Sequence, residues 1–191
     1  MLYNEEPIVI SAPIKAVEDL DFWRRRLNAA LALGRPLHAA IYDCSPETWE
    51  RAQKESKELM ARYLRPGEKI LDAGCGFGSL YELLPEGVTK YRGIDISPDL
   101  IDIARQRHPR ANFEIGDLND LSEYRSKSYD WVICRSVEGM IIENKGSRAW
   151  DVMEKELCRV GERVLLWGYD QVERDHRLPL DPPKKKTKEQ A

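Results

Sequence analysis

The segment Ile70-Leu71-Asp72-Ala73-Gly74-Cys75-Gly76-Phe77-Gly78 carries the residue types that most directly imply chemistry. An apolar strand running into alternating glycines makes a turn so tight, and so close to a ligand, that side chains must be absent. Gly74 and Gly76 permit positive φ and close backbone approach, and a helix expected over Ser79–Leu84 would offer free N–H groups. The spacing is GxGxG, and Ser79 stands where the dinucleotide pattern GxGxxG needs its last glycine. Asp72 at the strand's end would repel a pyrophosphate but suits a ligand with an ammonium group or a sulfonium centre.

Two further carboxylates follow in order. Asp95, in Gly93-Ile94-Asp95-Ile96-Ser97, closes the next strand and is placed to take both hydroxyls of a ribose. Ile96 beside it can pack on a purine face. Ser97 is the better helix cap, which leaves Asp95 free for a ligand. Asp117, in Gly116-Asp117-Leu118, follows a third strand, where it either meets an exocyclic adenine amine or makes an ordinary turn.

These side chains need a scaffold. The chain has 191 residues, 42% hydrophobic and 33% charged, enough for one domain with a proper core. Thirty Lys+Arg against 33 Asp+Glu give a net charge of −3, so nucleic acid is not indicated as a partner. Four scattered cysteines without a CxxC pair suggest neither zinc nor a disulfide framework. With no membrane-length apolar run and acids rather than bases near the N-terminus, the reading is a cytoplasmic protein without a membrane partner.

The first 65 residues read as a helical cover. Leu20, Trp23, Leu27 and Leu31 repeat at helical spacing until Gly34 and Pro36, and Ser45-Pro46-Glu47 opens a second helix. Ile8–Ser11 is a candidate strand, and Pro36–Ser45 reads as a linker. Residues 66–169 alternate short strands and helices, the pattern of a parallel sheet with helices on both faces. Residues 170–191, with Pro182-Pro183-Lys184-Lys185-Lys186, read as a short extended tail with a disordered end.

ILDAGCGFG, GIDIS-PDLIDIAR, GDL and YDWVIC together resemble the class I S-adenosylmethionine-dependent methyltransferases, over roughly residues 60–168. The resemblance implies a Rossmann-like sheet of order 3-2-1-4-5, S-adenosylmethionine as cofactor and no metal. Residues Ala73, Gly74, Cys75 and Gly76 would surround its methionine part, with Asp72 acting through water. Asp95 would bind the ribose, Ile96 and Leu118 would flank adenine, and Asp117 would meet its amine. Arg135 would lie near the methionine end through its backbone. Family members follow strand 5 with a helix and a strand 6–7 hairpin, for which the residues after Tyr169 leave too little room. The edge of strand 5 would then need a cover: Ile8–Ser11, the residues after Tyr169, or a second subunit in a homodimer.

The acceptor side is less specific. Arg135-Ser136-Val137-Glu138-Gly139-Met140, after strand 4, lacks the motifs of amino- or C5-directed DNA methylation. Glu138 is the candidate acid or base, or else caps a turn or pairs with Arg135. Tyr42 either closes over the cofactor or packs in the core. His38, His108 and His176 are isolated, and Trp23-Arg24-Arg25-Arg26 reads as a solvated face. The expected function is methyl transfer to a small-molecule or exposed nitrogen or oxygen acceptor. The alternative is a methyltransferase-fold module that binds cofactor or a partner without catalysis, and a nicotinamide dehydrogenase is a more distant reading.

Overall fold

The computed structural model describes residues 20–42 and 44–168. Ile8–Ser11, His176, the segment after Tyr169 and the lysine-rich tail, with the expectations attached to them, lie outside the described residues. Three helices come first: α1 (Leu20–Ala32), α2 (Leu37–Tyr42) and α3 (Pro46–Tyr63). Strands and helices then alternate as β1 (Lys69–Ala73), β2 (Lys90–Asp95), α4 (Pro98–Arg107), β3 (Asn112–Ile115), β4 (Tyr129–Arg135), α5 (Glu138–Lys145), α6 (Ser147–Val160) and β5 (Gly161–Trp167). All five strands are parallel, in the order β3-β2-β1-β4-β5.

Both faces of the sheet are covered, as parallel strands require. Leu71, Ala73, Val132 and Cys134 face one way, against Trp150, Met153, Leu157 and Val160 of α6. Ile70, Trp131, Ile133 and Leu165 face the other, against Met60 and Tyr63 of α3 and Ile101 and Ala104 of α4. The period-2 alternation along β1 and β4 therefore splits one apolar run between two cores. Asp72 shares the face of Ile70, which explains why its carboxylate is buried.

Helix ends follow local chemistry. Ser45 caps α3 by accepting a hydrogen bond from the Thr48 N–H, with Pro46 in the first turn. Ser97 caps α4 in the same way from the Leu100 N–H. Replacing Ser45 with Ala should cost about 1 kcal/mol, read as a lower urea midpoint with unchanged m-value.

The structure departs from the sequence reading in several elements. Ser79–Leu84 forms no regular helix; it holds a single 3-10 turn, Tyr81–Leu83. Gly76 and Gly78 both keep positive φ, and Pro85 bars helix continuation, so the span is too short to meet the cost of nucleation. Part of Pro36–Ser45, read as linker, is helix α2, and the start of the segment after β4 is α5. In α1 the buried face runs through Trp23, Leu27 and Ala30, while Leu31 is 54% exposed. Among the described residues no strand pairs with the outer side of β5.

Candidate functional site

β1 and β4 are neighbours, while the strands that follow each of them in the chain lie on opposite sides. This is the switch point at which open parallel sheets leave a crevice beyond their carboxyl ends. The crevice is present, as a half-open cleft over those strand ends. Its floor is glycine: Gly74 and Gly76, at φ 78° and 53°. A Cβ at Gly74 would stand 2.5 Å from Val137 Cγ2, which closes that position to any other residue. At Gly76 the nearest atom to an added Cβ would be Tyr42 Oη at 3.9 Å, so backbone there faces open cleft.

Asp95 stands at the cleft edge with its geometry fixed. Oδ2 accepts from the Gly76 N–H and Oδ1 from the Ser97 N–H, both at 2.9 Å. One carboxylate thereby ties the glycine turn to the start of α4. Each oxygen keeps a further lone pair for a ligand hydroxyl. Burial raises the Asp95 pKa, and the amides of Ser97, Gly76 and Ile96 pull it back down.

Asp117 is exposed at the other end of the cleft. Its Oδ1 takes both the backbone N–H and the side-chain amide of Asn119, at 2.9 and 2.7 Å, leaving Oδ2 for a ligand amine. Ile96 and Leu118 line the space between. Trp23, Ile41 and Tyr42, from α1 and α2, complete the lining on the N-terminal side. Arg24 joins α1 to α4 through Asp99, at 3.0 Å.

Arg135 lines the same cleft, yet the residue is only 4% exposed. Its guanidinium donates to Gln53 Oε1 and Ser56 Oγ on α3 and to Ser79 Oγ behind the glycine turn, at 2.7, 3.1 and 2.7 Å. It also lies 5.6 and 5.5 Å from the ring centroids of Tyr42 and Trp49. Trp49 in turn stacks on His38 and Tyr42 and leans on Phe77 of the glycine segment. Arg135 thus links the N-terminal helices to the sheet. Arg135→Met should destabilise the fold by about 3 kcal/mol in urea, since three polar partners lose a charged donor, and should alter the near-UV signal of Trp49.

Not every residue expected at the site reaches the cleft. Asp72, Ala73 and Cys75 are buried and do not line it. Asp72 Oδ2 accepts from Tyr91 Oη at 2.7 Å, while Oδ1 is buried without a hydrogen-bond partner among the described residues. Burial raises the Asp72 pKa to about 7, against the opposing pull of the Tyr91 hydrogen bond and the Arg135 charge. Cys75 packs into the α3–α4 core, and burial holds its thiol well above the ordinary range.

A second cleft adjoins the first over the ends of β4 and β5, and Ile41, Tyr42, Ser136 and Met140 line both. Glu138 lines the second. Cys134 does too, but burial raises its pKa, so it offers no ready thiolate. Ser136, Val137 and Met140, from the segment after β4 quoted as the acceptor side, do line the clefts, whereas sequence reasoning missed the helix α2. The signal for α2 was present as Pro36 ahead of Leu37, His38, Ala39 and Ala40, a good helix start. Among the described residues no group of three or more His, Cys, Asp or Glu is placed to hold a metal.

Sheet order, glycine turn and switch-point cleft define a Rossmann-like α/β protein with an open cleft at the carboxyl ends of β1, β2 and β4. Residues 70–159, just under half of the chain, match the family described as "Methyltransferase domain", which supports the resemblance to the class I S-adenosylmethionine-dependent methyltransferases. The chain is similar to the ubiquinone biosynthesis O-methyltransferase of Xanthomonas campestris pv. campestris, 31% identical over 40% of this chain and 34% of that protein. It also resembles dTDP-4-amino-2,3,4,6-tetradeoxy-D-glucose N,N-dimethyltransferase of Saccharopolyspora spinosa, 28% identical over 52% of this chain and 41% of that protein. The chain therefore spans less than half the length of either relative. Among solved structures, PH0226 protein from Pyrococcus horikoshii OT3 superposes with a TM-score of 0.56 at 25% identity, covering 69% of this chain and 66% of that one. No helix among the described residues is long and apolar enough to cross a membrane.

Proposed function

We propose that this chain transfers a methyl group from S-adenosylmethionine to a nitrogen or oxygen of a small-molecule acceptor. The observation that carries the reading is Asp95, held by the Gly76 and Ser97 amides at the rim of a glycine-floored cleft. There it offers two oxygen acceptors to the hydroxyls of a ribose. The other residues fit the same cofactor. Ile96 and Leu118 supply apolar walls for a purine, and Asp117 Oδ2 supplies an acceptor for its amine. The orphaned Oδ1 of Asp72 suits a cation, reached through a water from behind the glycine turn.

Bound there, the cofactor supplies an activated methyl group on a sulfonium. Methyl transfer is an in-line displacement, so the chain's task is alignment and exclusion of water. Tyr42 and Ile41 close the space shared by both clefts, and the second cleft receives the acceptor. Glu138 is the group placed to take a proton from an acceptor that must lose one. The two relatives, named for an O-methylation and for an N,N-dimethylation of an amino sugar, support a small acceptor without choosing between oxygen and nitrogen.

The test is transfer of label from methyl-tritiated S-adenosylmethionine to fractions of a cell extract. Label should appear in the low-mass fraction and vanish when the extract is omitted. Label confined to precipitated protein would contradict a small acceptor, and none at all would favour the non-catalytic module.

A further inference from the structure

Trp23-Arg24-Arg25-Arg26 reads as a solvated face in the sequence, and the structure divides it. Arg24 and Arg25 are exposed, and Arg24 is tied to Asp99 of α4. Trp23 is buried and lines the first cleft, whereas Arg26 is half-buried and lines the second. Positions three apart on a helix share a face, so one side of α1 serves both clefts. Leu27 and Ala30, buried beside them, and the Arg24–Asp99 pair hold that side inward.

The second cleft combines opposite charges with aromatic walls. Among the described residues its charged side chains are Arg26 of α1 and Glu138 in the first turn of α5, and Tyr42, Trp150 and Trp167 supply rings. Glu138 is the group assigned to the acceptor's proton, which leaves the Arg26 guanidinium as the other charged feature of the wall. Its five N–H donors form a planar fork that matches two oxygens of a carboxylate or phosphate, and one protein neighbour does not exhaust them. A charge in a cleft with low-dielectric walls also acts more strongly on a ligand than the same charge on an open surface. A wholly apolar acceptor would strip water from that guanidinium and return no hydrogen bond.

We infer that the acceptor carries an oxyanion, a carboxylate or a phosphate, apart from the atom that takes the methyl group, and that Arg26 binds it. The inference rests on the methyltransferase reading. The oxyanion takes no part in the transfer itself. Held by Arg26, it anchors one end of the acceptor while the reacting nitrogen or oxygen lies toward the methyl donor. Arg26 is thereby a specificity-determining residue: it selects which small molecules are held in place to react.

The test uses three probes that share a benzene ring: benzoate, phenyl phosphate and benzyl alcohol. Each is titrated at neutral pH into protein saturated with S-adenosylhomocysteine and read by tryptophan fluorescence. Wild type should bind at least one anion about 10-fold more tightly than benzyl alcohol, and the tighter anion tells carboxylate from phosphate. Arg26→Gln should lose that preference while holding benzyl alcohol and S-adenosylhomocysteine within about twofold of wild type. Arg26→Lys, which keeps the charge without the fork, should retain part of it, and Arg25→Gln on the exposed neighbour should retain all of it. Benzyl alcohol binding as tightly as both anions, or none of the three binding, would overturn the inference. So would a preference that survives in Arg26→Gln or is lost equally in Arg25→Gln. An S-adenosylhomocysteine affinity that falls about 10-fold in Arg26→Gln would assign the guanidinium to the cofactor's own carboxylate and overturn it as well. Calorimetry with S-adenosylhomocysteine alone comes first: no binding there removes the methyltransferase reading, whereas binding there with no anion preference removes only the present inference.

Discussion

Asp95→Ala should weaken S-adenosylhomocysteine binding at least 100-fold. The carboxylate does two things at once: it holds the Gly76 and Ser97 amides at 2.9 Å, and it presents its remaining lone pairs to the cleft. Hydrogen bonds to a charged group contribute about 1.5–3 kcal/mol each, so losing two ligand hydroxyl contacts alone accounts for about two orders of magnitude. Asp95→Asn should be intermediate, since its amide group would face a backbone N–H, donor against donor, on one side. Calorimetric titration of both variants, with thermal melts to confirm folding, reads the effect. An affinity within threefold of wild type for a folded Asp95→Ala would remove the ribose assignment.

The second large effect concerns Asp72, and its sign follows from burial. An ordinary aspartate titrates near 3.8, whereas this one is raised to about 7. Between those values the folded chain holds a proton that the unfolded chain has released. Stability from this group is therefore fullest below about pH 4, falls as pH rises, and is lost above about pH 7. The gap corresponds to a swing on the order of 4 kcal/mol. Asp72→Asn keeps an acceptor for Tyr91 Oη and cannot ionise. Its urea midpoint should stay level from pH 5 to 8 where wild type declines, and should exceed wild type at pH 8. At pH 8, where the wild-type carboxyl is ionised, the same variant should bind S-adenosylmethionine about tenfold more weakly, because a buried negative charge near a cationic ligand is gone. Parallel stability profiles for the two proteins would show that Asp72 does not titrate as its surroundings imply.

Much of this was legible in the residues. Five apolar runs separated by helical spacing forecast a parallel sheet with both faces covered, and glycines at 74 and 76 forecast a tight turn, because each feature is local; the order 3-2-1-4-5 came only with the family resemblance that these motifs carry. Positive φ requires glycine, and a cap requires Ser45 or Ser97; no distant residue is needed to see either. The side-chain destinations were not legible. Arg135 turned into a bridge to Gln53, Ser56 and Ser79, partners separated from it by 82, 79 and 56 positions. Nothing in the spacing of Arg135 announces such contacts. The expected helix after Gly78 failed because glycine-turn geometry and Pro85 together outweighed the propensity of Leu80 to Leu84.

The central claim is that the crevice between the ends of β1 and β4 holds an adenosyl group with a methionyl sulfur. Isothermal titration of the wild-type chain with S-adenosylhomocysteine tests it most directly. The account predicts saturable heat with one site per chain. Absence of heat at millimolar ligand, from protein whose melt shows it folded, would contradict it.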